Sequence, residues 1–161
     1  MIIREVSETA EKQRITRMIL EALPDWFGVP ESREEYIRDS AGEPFFAAFD
    51  GEDPVGFLVL KETGKDTVSL YVMGVLQEYH RQGIGRKLFE KAKEAAVRKG
   101  YSFLQVKTVQ MGKYEDYDRT NRFYLSLGFR EFEVFPTFWD EANPCQIYVM
   151  FLGQGRPAGE R

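Results

Sequence analysis

The segment "EYHRQGIGRKLFEKAKEAA" contains the residues of this chain whose types and spacing are best suited to chemistry. Gly83 and Gly85 are separated by one residue at the head of a run of helix formers. Glycines there let the backbone approach a ligand closely, and the first N–H groups of a helix point outward. Together with the helix dipole and the basic side chains of Arg81, Arg86 and Lys87, these amides predict a phosphate-binding site.

Three kinds of phosphate-binding loop can be compared with this segment. A P-loop needs a hydroxyl residue after Gly-Lys, whereas Arg86, Lys87 and Leu88 follow Gly85 here. A dinucleotide fingerprint needs a third glycine where Leu88 stands, and it normally follows the first strand of the fold. The third pattern, Gln/Arg-x-x-Gly-x-Gly/Ala after a strand, is typical of loops that bind the pyrophosphate of coenzyme A, and "HRQGIG" fits it.

The wider context of the loop resembles the GNAT superfamily of N-acetyltransferases. The run "YVMGVLQEYHRQGIGRKLFEKA" is followed about thirty residues later by "RFYLSLGF", so two family landmarks occur in order. The resemblance implies that acetyl-CoA is the cosubstrate and that an acetyl group is transferred to an amine. It also implies a set of cofactor-binding residues: Val75, Leu76, Arg81, Gln82, Gly83, Ile84, Gly85, Arg86 and Lys87.

Two positions depart from the family pattern. His80 occupies the leading Gln/Arg position, where the family contacts the cofactor largely through backbone. His80 is the only histidine, but a catalytic role is disfavoured because a general base must face the acceptor rather than the phosphates. In the later helix, Tyr117 stands where many relatives carry Asn, which leaves open a side-chain contact to the cofactor.

Acetyl transfer by direct attack of an amine needs three groups. By resemblance, the N–H of Val75 polarises the acetyl carbonyl, and Tyr124 is the general acid for the departing thiolate. No covalent nucleophile is indicated, because Cys145 lies in a predicted strand and is expected to be a buried structural residue. The strand "SLYVMGV" has no carboxylate to deprotonate the amine. The base therefore stays open among a water relay, the 21–36 segment and the acidic residues Glu115, Asp116 and Asp118.

The acceptor is expected to meet aromatic and acidic residues together. In the family, the first two helices and the last strand pair form the acceptor wall, and here they carry Trp26, Phe27, Glu31, Glu35 and Trp139. Aromatic faces beside carboxylates suit an alkylammonium group, so we predict a small cationic amine: a polyamine, an aminoglycoside-like compound or a basic amino acid derivative. The alternatives are a protein N-acetyltransferase and a non-catalytic acyl-CoA sensor. It is equally open that the aromatics are core residues and the acids a solvated surface.

The elements that must position these residues follow from hydrophobic periodicity. The predicted order is strand, two helices, three strands, helix, strand, helix and two strands. Ser7 is expected to cap the first helix, and Ser32 with Glu35 to form a capping box for the second. The predicted fold is GNAT-like α/β: a mixed, mainly antiparallel six- to seven-stranded sheet with one parallel pair, flanked by about four helices. Residues 1–152 are expected to form one N-acetyltransferase domain, and residues 153–161 a flexible tail.

Composition limits the remaining function classes. The 161 residues are 43% hydrophobic and 30% charged with a net charge of −4, which does not favour nucleic-acid binding. No apolar run reaches the length of a membrane span. The single Cys145 excludes an intramolecular disulfide and any multi-cysteine metal site, so we expect a cytoplasmic protein without a metal. A homodimer is compatible with the resemblance, and the oligomeric state stays open.

Overall fold

The computed structural model describes residues 1–155 and confirms the predicted order of elements. Strands and helices are numbered in chain order, and a 3₁₀ turn at Gln77–Tyr79 precedes α3. The elements are β1 (Ile2–Val6), α1 (Thr9–Glu21), α2 (Pro30–Ser40), β2 (Phe45–Asp50), β3 (Asp53–Gly64), β4 (Thr67–Val75), α3 (Ile84–Arg98), β5 (Phe103–Val109), α4 (Glu115–Leu127), β6 (Arg130–Asp140) and β7 (Asn143–Phe151).

Hydrogen bonding joins the strands into one mixed sheet. Among residues 1–155, seven strands follow the order β1-β2-β3-β4-β5-β7-β6. The β4–β5 pairing is parallel and aligns Thr67–Ser69 with Phe103–Gln105, whereas β1–β2, β2–β3, β5–β7 and β6–β7 are antiparallel. The parallel pair is the one that crossover helix α3 connects. These features confirm the predicted fold class.

The chain divides into two compact units, and β4 contributes to both. The first unit comprises Met1–Lys61 and Tyr71–Ala95, and it therefore holds α1, α2, most of α3 and the end of β4. The second comprises Glu62–Leu70 and the chain from Ala96 onward, with β5, α4, β6 and β7. The predicted glycine loop thus belongs to the first unit, and Tyr124 belongs to the second.

In the first unit, α1 packs its apolar side against the sheet. Ile19 and Leu20 are fully buried in a cluster with Phe57 and Val72. Gly74 of β4 lies directly under α1, because a Cβ at this position would come within 3.0 Å of Leu23 and 3.1 Å of Ile19. The glycine therefore permits close packing of helix on strand.

The predicted capping residues are wrong for both early helices. Helix α1 has Glu8 rather than Ser7 at its N-cap, and no side chain caps it. Helix α2 has Val29 at its N-cap and Pro30 at its first position, so Ser32 lies inside the first turn. The fixed φ of proline starts this helix two residues before the expected cap.

The end of the second unit is partly described. The N–H of Gly155 donates to Oγ of Ser102 at 3.0 Å, and the N–H of Leu152 donates to the Ser102 carbonyl at 2.7 Å. Residues 156–161 of the predicted tail lie outside the described part of the chain. The domain boundary at residue 152 stays a prediction.

Candidate active site

The glycine loop has the backbone geometry of an anion site. Arg81 and Gly83 have φ angles of +64° and +77°, in the left-handed region that glycine adopts readily. The first intrahelical hydrogen bond of α3 runs from the N–H of Lys87 to the carbonyl of Gly83 at 3.1 Å. The amides of Ile84 and Gly85 precede that bond, so helix geometry gives them no intrahelical acceptor. These amides and the helix dipole favour a negative group at this position.

The loop is anchored by apolar residues, and its basic side chains face solvent. Ile84 and Leu88 are buried, with exposed fractions of 2% and 0%. The side chains on either side of them are exposed: Arg81, Gln82, Arg86 and Lys87. A phosphate approaching the helix would therefore meet positive charge as well as the backbone amides.

His80 links the end of β4 to the segment between α1 and α2. Its Nε2 lies 2.6 Å from the carbonyl oxygen of Val75, and its ring meets Trp26 edge-on with centroids 5.9 Å apart. The N–H of Leu76 donates to the Val55 carbonyl at 2.9 Å. The contacts of His80 with Val75 and Trp26 give it a structural role at the loop, and the expectation that it is not the base stays a prediction.

Half-buried aromatic residues of α1–α2 and β4 form an aromatic strip, defined as Trp26, Phe27, Tyr36 and Tyr71. They pack against the apolar core of the first unit. Ring centroids are 5.9 Å apart for Phe27–Tyr36 and 5.2 Å for Tyr36–Tyr71. Nη1 of Arg33 donates to the Phe27 carbonyl at 2.8 Å and fixes the loop. The predicted acceptor residues Trp26 and Phe27 are thus partly core and partly surface.

The acidic residues predicted to flank the acceptor lie on α2. Glu31 and Glu35 are exposed. Their neighbour Glu34 forms a two-pronged pair with Arg17 of α1, at 2.6 and 2.9 Å, and this pairing lowers the pKa of Glu34. Glu34 therefore joins the two helices, whereas Glu31 and Glu35 keep their carboxylates on the surface of the unit.

A carboxylate lies next to β4 that the sequence did not predict, because Asp39 belongs to another element, α2. The hydroxyl of Tyr71 donates to Oδ2 of Asp39, 32 residues earlier in the chain, at 3.2 Å. Burial, and then the Asp39 carboxylate, raise the pKa of Tyr71, and burial with Glu35 raises the pKa of Tyr36. Both phenols consequently stay protonated at neutral pH and cannot serve as bases there.

In the second unit, Tyr124 lies in an aromatic environment on α4. It is 6% exposed, and its ring centroid lies 5.8, 5.9 and 6.3 Å from those of Phe123, Phe129 and Tyr148. Helix α4 runs from Glu115 to Leu127, and Gly128, with a φ of +107°, terminates it as predicted. The packing fixes the ring of Tyr124, and its role as general acid stays a prediction.

The buried side-chain amide of Asn121 on α4, which the sequence also did not predict as important, links this helix to its neighbouring strands. Nδ2 of Asn121 donates to the carbonyls of Val109 and Tyr117 at 2.9 and 2.7 Å. Its Oδ1 accepts the hydroxyl of Tyr148 at 2.6 Å. Asn121 and Tyr148 are 0% and 1% exposed, so α4, β5 and β7 are joined by a satisfied polar network.

The predicted acceptor residue Trp139 also belongs to the second unit. The β6–β7 register shifts between Phe135 and Asp140, so extra residues of β6 bulge from the ladder. Phe138 and Trp139 on this bulge are 57% and 45% exposed, with centroids 5.8 Å apart. The bulge therefore presents aromatic rings to solvent.

Other candidate chemistry is limited. Cys145 is fully buried, as expected, and burial raises the pKa of its thiol, which disfavours a nucleophilic thiolate. In residues 1–155, no group of three or more His, Cys, Asp or Glu side chains is placed to hold a metal ion. Within the same residues, no helix is long and apolar enough to cross a membrane.

Comparison with known proteins identifies the family. Residues 41–131 match the family model described as the acetyltransferase (GNAT) domain. The chain is 25% identical over 99 residues to the uncharacterized N-acetyltransferase YsnE of Bacillus subtilis (strain 168), covering 62% of this chain. It spans only 64% of the length of that curated relative.

Solved structures share the fold at low identity. A structure assigned to the GNAT acetyltransferase family from Desulfovibrio desulfuricans has a TM-score of 0.81 at 20% identity, over 94% of this chain and 99% of that one. An aminoglycoside 6'-N-acetyltransferase complexed with coenzyme A has a TM-score of 0.73 at 17% identity, over 98% of this chain and 99% of that one. The ribosomal-protein-S18-alanine N-acetyltransferase of Escherichia coli has a TM-score of 0.76 at 17% identity, over 96% of this chain and 97% of that one.

The chain belongs to the GNAT acetyltransferase family, because the family model covers more than half of it. The predicted family is thereby confirmed: the matching model is described as an acetyltransferase domain, and the curated relative is named as an N-acetyltransferase. The family model matches the glycine loop and Tyr124 together.

Proposed function

We propose that this protein transfers an acetyl group from acetyl-CoA to a primary amine of a small cationic acceptor by direct attack. The observation that carries the proposal is the exposed loop before α3, where Gly83 has a φ of +77° and the first helical amides precede the Lys87–Gly83 hydrogen bond. That arrangement suits the pyrophosphate of coenzyme A. The residues proposed to hold the cofactor are Val75, Leu76, Arg81, Gln82, Gly83, Ile84, Gly85, Arg86 and Lys87.

Tyr124 is the proposed general acid. In the reaction, the amine nitrogen bonds to the acetyl carbon and the carbon–sulfur bond breaks. The thiolate takes its proton from the phenol of Tyr124, and the phenolate regains a proton from the nitrogen. The family motif and the fixed ring of a residue that is only 6% exposed support this role. The backbone N–H of Val75 is the proposed donor to the carbonyl oxygen as it becomes negative.

Aromatic and acidic residues of the first unit support a cationic acceptor. Half-buried Trp26 and Phe27 lie beside a helix whose exposed Glu31 and Glu35 attract positive charge. Trp139, the remaining acceptor residue predicted from the resemblance, is 45% exposed. An aminoglycoside acetyltransferase shares the fold, and so does an enzyme whose acceptor is a ribosomal protein. The protein N-acetyltransferase is therefore the second candidate.

The test is thiol release from acetyl-CoA, measured with a panel of polyamines, aminoglycosides, basic amino acid derivatives and peptides. We expect turnover with small amines, a product heavier than the amine by one acetyl group, and little turnover with peptides. Turnover confined to peptides would establish the second candidate. Tight acetyl-CoA binding without turnover on the whole panel would contradict catalysis and favour an acyl-CoA sensor.

A further inference from the structure

The pair formed by Asp39 and Tyr71 supplies a carboxylate beside β4, the strand that has none in its own sequence. Oδ2 of Asp39 accepts the Tyr71 hydroxyl at 3.2 Å. Both residues are half-buried, so solvent reaches them. Because α2 carries Asp39 and β4 carries Tyr71, the carboxylate depends on the fold of the first unit rather than on a local motif.

An alkylammonium group of the protein itself already lies against the ring of Tyr71. Nζ of Lys61 on β3 lies 4.8 Å from its centroid, within cation–π range. The other charged groups next to the pair are Arg38, whose Nε lies 3.2 Å from Oδ1 of Asp39, and exposed Glu35. The internal lysine shows that this face of the ring is suited to a primary ammonium ion.

Asp39 retains capacity to accept further hydrogen bonds. A carboxylate offers about four lone-pair positions, and the described contacts of Asp39 with Tyr71 and Arg38 use two of them. The side chain of Arg38 is 70% exposed, so its pairing with Asp39 is a surface contact that an incoming cation can replace.

The distance along β4 decides which part of an acceptor could bind there. Tyr71 and Val75 are four residues apart in the strand, which corresponds to about 13 Å between their Cα atoms. A nitrogen held at Asp39 is therefore too distant to attack an acetyl group at Val75. The aromatic strip lies between the two ends, since Trp26 meets His80 beside Val75, and Tyr36 meets Tyr71.

We propose that Asp39 and Tyr71 bind a second, non-reacting ammonium group of the acceptor, which makes the substrate class a linear diamine or polyamine. This inference rests on the proposed function and specifies its acceptor. Asp39 supplies the charge, the hydroxyl of Tyr71 orients it, and the aromatic strip covers the alkyl chain between the two nitrogens.

The experiment compares a monoamine with the α,ω-diamine of the same chain length, over a series of lengths, by steady-state thiol release. In the wild type we expect the KM of long diamines to be at least about tenfold below that of the monoamines. Asp39→Asn should abolish this preference, because the KM of the diamines rises toward that of the monoamines. Tyr71→Phe keeps the ring and should weaken the preference partly.

Two further variants separate recognition from structure. Lys61→Gln removes the competing internal cation and should lower the KM of diamines, an effect that a merely structural contact would not produce. Glu62→Gln is the matched control, because it changes a similar tyrosine–carboxylate pair elsewhere. The carboxylate of Glu62 accepts the Tyr101 hydroxyl at 2.6 Å in the second unit. This control should leave both KM values unchanged.

The outcomes distinguish this inference from the proposed function. Equal KM values for diamines and monoamines in the wild type, or an equal rise for both in Asp39→Asn, would overturn the diamine site while acetyl transfer stands. An absence of thiol release with every amine tested would overturn both. If Asp39→Asn folds poorly, as judged by its Tm, the Lys61→Gln result decides the matter.

Discussion

The glycine loop before α3 and the part of α4 around Tyr124 hold their candidate residues by different means. In the loop, Gly83 is exposed, and backbone conformation at the head of the helix creates the site. On α4, Tyr124 is buried among rings, and Asn121 links the helix to the carbonyl of Val109 and the hydroxyl of Tyr148. The loop should therefore tolerate many side-chain changes, whereas α4 should tolerate few.

The largest expected effect concerns the reacting group on α4. Tyr124→Phe removes one hydroxyl and keeps the ring packing, so we expect kcat to fall by about 10²–10⁴ with little change in the binding of acetyl-CoA. Thiol release under saturating amine measures it. Tyr114→Phe is the control, since Tyr114 is 46% exposed and should change nothing. Unchanged kcat in Tyr124→Phe would remove the general-acid role.

The next effect concerns the stability of the same helix. Asn121→Ala leaves the buried hydroxyl of Tyr148 and the Val109 carbonyl without their partner, so the free energy of unfolding should fall by about 2–4 kcal/mol. Urea denaturation measures this loss. Adding Tyr148→Phe should cost less in the Asn121→Ala background than in the wild type. Additive losses would show that the two groups are not coupled.

A smaller effect is expected in the loop, at His80. His80→Phe keeps a ring against Trp26 and loses the contact with the Val75 carbonyl, so kcat/KM should fall by less than about tenfold. A fall above about 100-fold with an unchanged Tm would instead assign His80 a catalytic role.

The smallest effect concerns the surface pair of Arg17 with Glu34. Arg17 lowers the pKa of Glu34 in the folded state. The pair therefore stabilises the folded protein at pH values above the pKa that Glu34 has in the unfolded chain. This contribution is lost as the pH falls through the pKa of Glu34 in the folded protein. Glu34→Gln should therefore lower Tm slightly at pH 7 and not at all in strong acid. Thermal denaturation at both pH values measures it, and a Tm difference that grows toward low pH would contradict the assignment.

Local signals in the sequence predicted much of the molecule. Glycine spacing and helical periodicity predicted the loop before α3, and Gly128 ends α4 as expected. Hydrophobic alternation likewise predicted the strands, and the crossover helix between β4 and β5 predicted their parallel pairing. These features depend on residues close together in the chain, where backbone preference decides the structure.

Two pairings that the sequence did not predict join side chains far apart in the chain. Asp39 meets Tyr71 across 32 positions and Asn121 meets Tyr148 across 27, and nothing in either local segment indicates the partner. The capping errors have a different cause, because Ser7 and Ser32 are good caps that Glu8 and Val29 displaced. At α2, the fixed φ of Pro30 outweighed the preference of serine for the N-cap.

The central claim, that the loop binds the pyrophosphate of acetyl-CoA, is tested most directly by calorimetric titration of acetyl-CoA into Gly83→Glu. Gly51→Glu is the matched control, since both glycines have positive φ and a Cβ added at either would meet open space. We predict that affinity falls at least about 100-fold in Gly83→Glu, where a carboxylate would meet the phosphates, and stays unchanged in Gly51→Glu. Unchanged affinity in Gly83→Glu would contradict the account.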